Sequence, residues 1–159
     1  MMTDKIKNYE GKLQAKGLRF GIVCARFNSI FVEQLHNGAI DCLLRHDASP
    51  EDLSTVWVPG AYETPLVAKR LVKSGKFDAV ICLGVVIQGS TAHASYINAE
   101  VSKSLAQISL AENIPVIYGV VTTENIEQAI ERSGSKAGNR GASAASTAIE
   151  MANLMKVLP

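Results

Sequence analysis

The stretch DAVICLGVVIQGSTAHASYIN, residues 78–98, decides the fold. Residues 79–85 form an unbroken apolar run, which predicts a strand buried on both faces, as a parallel sheet between helical layers requires. Gly89, Ser90 and Thr91 interrupt it with small residues that leave backbone N–H groups open. His93 follows, and Ile97, Val101, Leu105 and Ile108 recur behind it at helical spacing. A strand end, a glycine-containing loop and a helix start form the usual ligand crevice of an open α/β sheet, and N–H groups at a helix N-terminus suit an anion.

The same alternation extends outward in both directions. Towards the N-terminus, residues 1–8 are polar and read as a flexible arm, and residues 9–14 have room to add a short edge strand. Residues 19–25 (RFGIVCA) form an apolar strand, closed by Arg26, Phe27, Asn28 and Ser29; Asn28 or Ser29 is placed to cap the helix expected over 30–46. A second strand spans 53–58, and Pro59 to Pro65 make a constrained turn into a helix that Gly75 ends. Towards the C-terminus, residues 115–121 give a fourth strand and 124–132 a short helix. The loop SGSKAGNRG (133–141) is flanked and filled by Arg132, Lys136 and Arg140, and a last helix spans 142–156.

Four strand–helix alternations with apolar strands predict one α/β domain over 9–159: a three-layer α/β/α sandwich, flavodoxin-like and doubly wound, on a four-stranded parallel sheet. In that topology the ligand site gathers the segments after the strands' C-terminal ends, here 26–29, 59–65, 86–93 and 122–123.

Composition narrows the function classes. The chain has 159 residues, 47% of them hydrophobic, so it can bury a substantial core. Sixteen Lys/Arg against fifteen Asp/Glu give a formal charge of +1, without the basic footprint that nucleic acid demands. No apolar stretch approaches the roughly twenty residues needed to cross a bilayer. Cys24, Cys42 and Cys82 lie in apolar segments without metal-ligand spacing, the pattern of reduced core thiols in a cytoplasmic protein with no metal site.

Each candidate residue has a plain reading beside a functional one. His93 is either a surface histidine at a helix start or a proton-transfer group, since a free imidazole with a pKa of about 6.5 can take and give a proton at neutral pH. The Gly89–Thr91 turn fits one phosphate; the spacing matches neither a P-loop nor a dinucleotide loop. Phe27 is either core or a platform for a planar ligand. Glu63 is either an exposed helix-start carboxylate or an acceptor for a polyol or amine. Tyr118, in mid-strand, reads as core. The residues alone support a small α/β protein that binds a planar polar molecule beside a phosphate.

With these residues in view, the chain resembles the lumazine synthase family. The likeness rests on IVCARFN (22–28), VWVPGAYETP (56–65), LGVVIQGSTAH (83–93), PVIYGVVTTENIEQAIERSGSKAGNRG (115–141) and AIEMANL (148–154). It implies a cofactor-free condensation of 5-amino-6-(D-ribitylamino)uracil with 3,4-dihydroxy-2-butanone 4-phosphate, giving 6,7-dimethyl-8-ribityllumazine in riboflavin biosynthesis. By the same resemblance Phe27 stacks on the pyrimidine, Ala61, Tyr62 and Glu63 line its ribityl side, and Val85, Val86 and Ile87 bind the uracil edge. Ser90, Thr91 and Arg132 hold the phosphate, and His93 donates and accepts the proton. Tyr118 matches an aromatic that reaches the neighbouring subunit's site. The resemblance also implies a homo-oligomer, a pentamer or twelve pentamers in a sixty-subunit shell, with riboflavin synthase as a candidate partner. Departures from the family pattern are Gln88 where arginine is common, Ala94 and Ser95 where an aromatic and an acid are usual, and Ser143 where an acid is common. Two other classes share the fold: a flavodoxin-like module carrying flavin mononucleotide, and a shell-forming structural protein with a weakened site.

Overall fold

The computed structural model describes residues 2–159. Four strands form a parallel sheet in the order β2-β1-β3-β4: β1 (Phe20–Ala25), β2 (Leu53–Val58), β3 (Ala79–Ile87) and β4 (Val116–Thr123). The connecting helices are α1 (Ser29–Arg45), α2 (Thr64–Lys73), α3 (His93–Glu112), α4 (Ile126–Arg132) and α5 (Arg140–Val157). Alternate strand residues face opposite layers, as the two-residue period of a strand dictates. Phe20, Ile22, Cys24, Ile81, Leu83 and Val85 pack with Leu35 and Ala39 of α1 and Ala148 and Ile149 of α5. Val23, Val80, Cys82 and Val86 pack with Ala68 and Val72 of α2 and Val101 and Leu105 of α3. The three-layer, doubly wound sandwich expected from the alternation is the fold observed. β3 is buried at every position except the last, Ile87, which explains its unbroken apolar sequence. Each fully buried Leu, Ile, Val or Phe here stabilises the fold by roughly 1.5–3 kcal/mol.

Close packing of α1 against α5 within one helical layer depends on Gly141. A Cβ there would lie 1.8 Å from the carbonyl oxygen of Leu35, so only glycine lets α5 approach α1 this closely.

Three local expectations are corrected. Residues 9–14 pair with no strand. Instead, Gly11 lies against the Glu150 carbonyl, and Asn153 Nδ2 donates to Lys12 O (2.6 Å) and Gln14 O (2.9 Å), so the segment is drawn over α5. Residues 133–141 are no plain loop: β5 (Ser133–Ser135) and β6 (Gly138–Asn139) form a small antiparallel hairpin. Gly134 (φ 110°) and Gly138 (φ 76°) permit its backbone. Finally, α5 starts at Arg140, two residues early, because Asn139 Oδ1 accepts from Gly141 N (2.8 Å) and Ala142 N (3.1 Å) and caps it there. Of the arm expected over residues 1–8, Met1 lies outside the described residues, and Met2–Lys5 form a 3-10 turn. Among the described residues no helix is long and apolar enough to cross a membrane.

Candidate active site

Strand order reverses between β1 and β3, and a cavity of about 900 Å³ opens at their C-terminal ends. Its shape follows from where pairing stops. β1 and β3 pair only as far as Cys24 and Leu83, whereas β3 and β4 continue to Ile87 and Thr123. Beyond Leu83 the side of β3 that faced β1 is therefore open. N–H and C=O of one strand residue point to the same side, and successive residues alternate. Gln88 N donates to Thr123 O (2.8 Å), on the β4 side; Val85 and Ile87 accordingly turn their backbone groups to the crevice, and Val86 turns its own to β4.

Asn28 secures one wall. It adopts a left-handed conformation (φ 62°) and its Nδ2 donates to Val85 O at 2.8 Å. Asparagine tolerates this backbone better than most residues. The capping role read for Asn28 is corrected: it occupies the N-cap position, but its side chain is engaged by β3 and makes no cap hydrogen bond. The preceding Phe27 has its N–H on Pro59 O (3.0 Å) and its ring 73% exposed at the cavity wall. Its core reading is thereby removed. An exposed aromatic ring held by a fixed main chain is a stacking surface.

Ala61, Tyr62 and Glu63 form a 3-10 turn on the opposite wall. Thr64 Oγ1 donates to Ala61 O (2.7 Å) and Glu63 N to Gly60 O (3.2 Å), which fix the turn, leaving the Tyr62 ring and the Glu63 carboxylate exposed. Gly89, Thr91 and His93 close the floor. His93 is the first residue of α3 and its N–H reaches Thr91 Oγ1 at 3.4 Å. The imidazole is exposed and bonds no side chain among the described residues; Glu100 instead accepts from Ser104 Oγ (3.2 Å). The buried thiols supply no nucleophile: burial pushes Cys24 up to about 12, and burial followed by the neighbouring Cys24 raises Cys82.

Two expected site residues lie elsewhere. Tyr118 and Arg132 line a second cavity of about 540 Å³ along the outer edge of β4, with Arg140, Ser143 and Thr147. Tyr118 is 42% exposed, so its expected core position is corrected: β4 is the edge of the sheet. Partial burial still raises its phenol above the ordinary tyrosine value. Arg132 Nη1 donates to Gln128 O (3.3 Å) at the end of its own helix. Lys136 lines neither cavity, and Ser90 belongs to the floor loop without lining the cavity.

The sequence reading gave no role to Tyr96 and Glu100, which share a helix face with His93 and line the crevice. Their spacing of three and seven residues from His93 was the available signal.

A family model described as 6,7-dimethyl-8-ribityllumazine synthase matches residues 17–156. Relatives bearing that name from two strains of Clostridium kluyveri are each 56% identical over 153 residues, covering 96% of this chain and 99% of the relative.

Proposed function

We propose the function from one premise: the chain belongs to the 6,7-dimethyl-8-ribityllumazine synthase family. It is a transferase of riboflavin biosynthesis that condenses 5-amino-6-(D-ribitylamino)uracil with 3,4-dihydroxy-2-butanone 4-phosphate, releasing phosphate and water. The observation that carries this reading at the level of residues is the crevice itself. It sets an exposed flat ring, a pair of outward-facing backbone groups, a loop of open N–H groups and a histidine around one space.

In the proposed complex the pyrimidine lies on Phe27. Its uracil edge, which offers both donors and acceptors, meets the backbone groups that Val85 and Ile87 turn to the crevice, and its ribityl chain runs past Ala61, Tyr62 and Glu63. The phosphate of the second substrate rests on the loop carrying Ser90 and Thr91, where N–H dipoles at the start of α3 favour an anion. The pyrimidine amine attacks the ketone carbon, and loss of water gives an imine. Loss of a proton from the adjacent hydroxyl-bearing carbon expels phosphate and leaves an enol, which becomes a ketone, and attack of the second nitrogen on that carbonyl with loss of water closes the ring. Each stage moves protons, and His93 stands between the two subsites to carry them. Holding two reactants together contributes roughly 7–11 kcal/mol, more than a general acid–base alone provides. Positioning therefore dominates the acceleration.

Arg132 and Tyr118 join this site from a second copy of the chain. Their separation from the crevice within one chain and the partial exposure of Tyr118 on an edge strand support a ring in which the groove of one subunit covers the crevice of the next. The proposed assembly is a pentamer, able to build a sixty-subunit shell, acting in the cytoplasm with riboflavin synthase as its candidate partner. Residues 9–159 form the catalytic unit behind an arm of residues 1–8. Incubation of the sized oligomer with both substrates tests the function: a fluorescent lumazine product is expected, and its absence refutes the assignment.

A further inference from the structure

We propose that Gln88 is a positioning residue for the phosphate, its carboxamide fixing the peptide planes of the floor loop so that their N–H groups face the anion. The inference rests on the function proposed above. Gln88 directly follows β3, and its main chain is anchored by donation to Thr123 O (2.8 Å) at the end of β4. Its side chain turns back over the loop it opens: Nε2 donates to Gly89 O at 3.2 Å and to Thr91 O at 2.9 Å. Both partners are carbonyl oxygens, so the amide presents its NH2 end, and the two hydrogens of that group match two acceptors.

The consequence follows from peptide geometry. In a trans peptide the C=O of one residue and the N–H of the next point in opposite directions. Holding Gly89 O therefore directs the Ser90 N–H away from Gln88, and holding Thr91 O directs the Ala92 N–H the same way. Neither N–H has an acceptor among the described residues. Gly89 would otherwise leave the loop loose, since a Cβ there would meet nothing within 4 Å. The Gln88 carboxamide removes that freedom before ligand arrives, which is how fixed donors gain strength against a charge that appears later. At the far end the contact of His93 N with Thr91 Oγ1 (3.4 Å) ties the loop to α3. A neutral amide does this without adding charge, so the cation for the phosphate is left to Arg132 of the neighbouring copy.

Three variants of the full chain, assayed as the sized oligomer, test the role. Gln88→Met removes both donors at similar length, Gln88→Glu replaces them with a carboxylate that repels the two carbonyls, and Gln88→Arg restores a planar donor fork. Met and Glu are expected to raise KM for the butanone phosphate about tenfold, the worth of one to two net hydrogen bonds, and to weaken binding of inorganic phosphate equally. KM for the pyrimidine and kcat should stay within about twofold, since the tie touches only the phosphate subsite. Arg should return the phosphate KM towards wild type. Equal losses for both substrates, a fall in kcat alone, unchanged phosphate binding in Met and Glu, or no rescue by Arg each overturn the role. A wild-type chain without turnover refutes the function instead; calorimetric titration with inorganic phosphate then still decides whether Gln88 organises the loop.

Discussion

The crevice at the ends of β1, β2 and β3 and the groove along β4 belong to one sheet, yet they are lined by different kinds of side chain. The crevice has the exposed Phe27 ring, the open N–H loop and His93, and no lysine or arginine lines it. The groove has Arg132, Arg140 and Tyr118, and no histidine. Backbone N–H groups can orient a phosphate, but only a guanidinium or ammonium brings a full positive charge to balance it. A phosphate held in the crevice alone lacks its counter-charge, and one held in the groove alone lacks a proton-transfer group. An edge strand is also the part of a sheet free to meet another chain. The contrast supports the proposed ring, in which the edge of one copy is set against the crevice of the next.

The largest expected effect removes the crevice's distinguishing group. His93→Ala should lower kcat by about 10²-fold, the low end of general acid–base catalysis, without abolishing turnover, because substrate positioning survives. The pH–rate profile, measured beside wild type at saturating substrates, should lose the limb that depends on the imidazole. Superimposable profiles would mean that the imidazole takes no part and that a water or the substrate phosphate carries the proton.

The division between the two cavities is tested most directly by mixing. Arg132→Ala alone should raise KM for the butanone phosphate about tenfold or more by loss of a charge-assisted contact, while binding of the pyrimidine changes little. When Arg132→Ala and His93→Ala chains are dissociated, mixed in equal amounts and reassembled, about a quarter of the sites should combine an intact crevice from one copy with an intact groove from the next. With the butanone phosphate held well below KM, the rate should rise to about that fraction of wild type. A mixture no better than the average of its parents would show that one chain supplies both halves.

A smaller change sharpens the reading of the crevice wall. Phe27→Ala should weaken pyrimidine binding about fivefold, in keeping with roughly 0.5–1.5 kcal/mol for an aromatic pair, and leave the thermal midpoint and the oligomer almost unchanged. Loss of folding would return Phe27 to the core.

The two regions also differ in how far the sequence reveals them. The crevice was legible because its parts are local: an apolar run ends, small residues follow, and a helix period begins at His93. Of the groove, the cations Arg132 and Arg140 showed in the sequence around a glycine-rich loop, and Tyr118 gained a site role only through family resemblance. Tyr118 sits in mid-strand, and nothing in its neighbourhood tells whether that strand is central or at an edge; sheet order is a tertiary property. Arg132 and Arg140 are eight residues apart in sequence, and it is the hairpin pairing Ser133 with Asn139 that brings the end of α4 beside the start of α5. The tether of Asn28 to Val85, 57 residues away, left no local trace either. Asparagine after a strand end signals a turn or a cap, and here long-range hydrogen bonding took over the side chain.

The smallest expected effect concerns a histidine that belongs to neither region. His36 of α1 places Nε2 2.9 Å from Thr55 Oγ1 of β2, with its ring 5.7 Å from that of Trp57 and tilted by 55°. Arg26 lies over the same indole, 6.0 Å from its centre. Burial holds the His36 imidazole below its ordinary value. Between the folded and unfolded pKa values the unfolded chain then binds more protons, so stability rises with pH. The contribution is complete above the unfolded value of about 6.5 and is lost as pH falls below it towards the folded value. The imidazole is only half-buried, and solvent screening keeps the effect small. His36→Gln keeps a polar group at the site and removes its titration. Denaturant midpoints compared at about pH 7 and about pH 5.5 should fall slightly more for wild type than for the variant, while their pH–rate profiles coincide. A shifted rate profile in His36→Gln would break the comparison from outside, because proton chemistry would then reach beyond the crevice that holds His93.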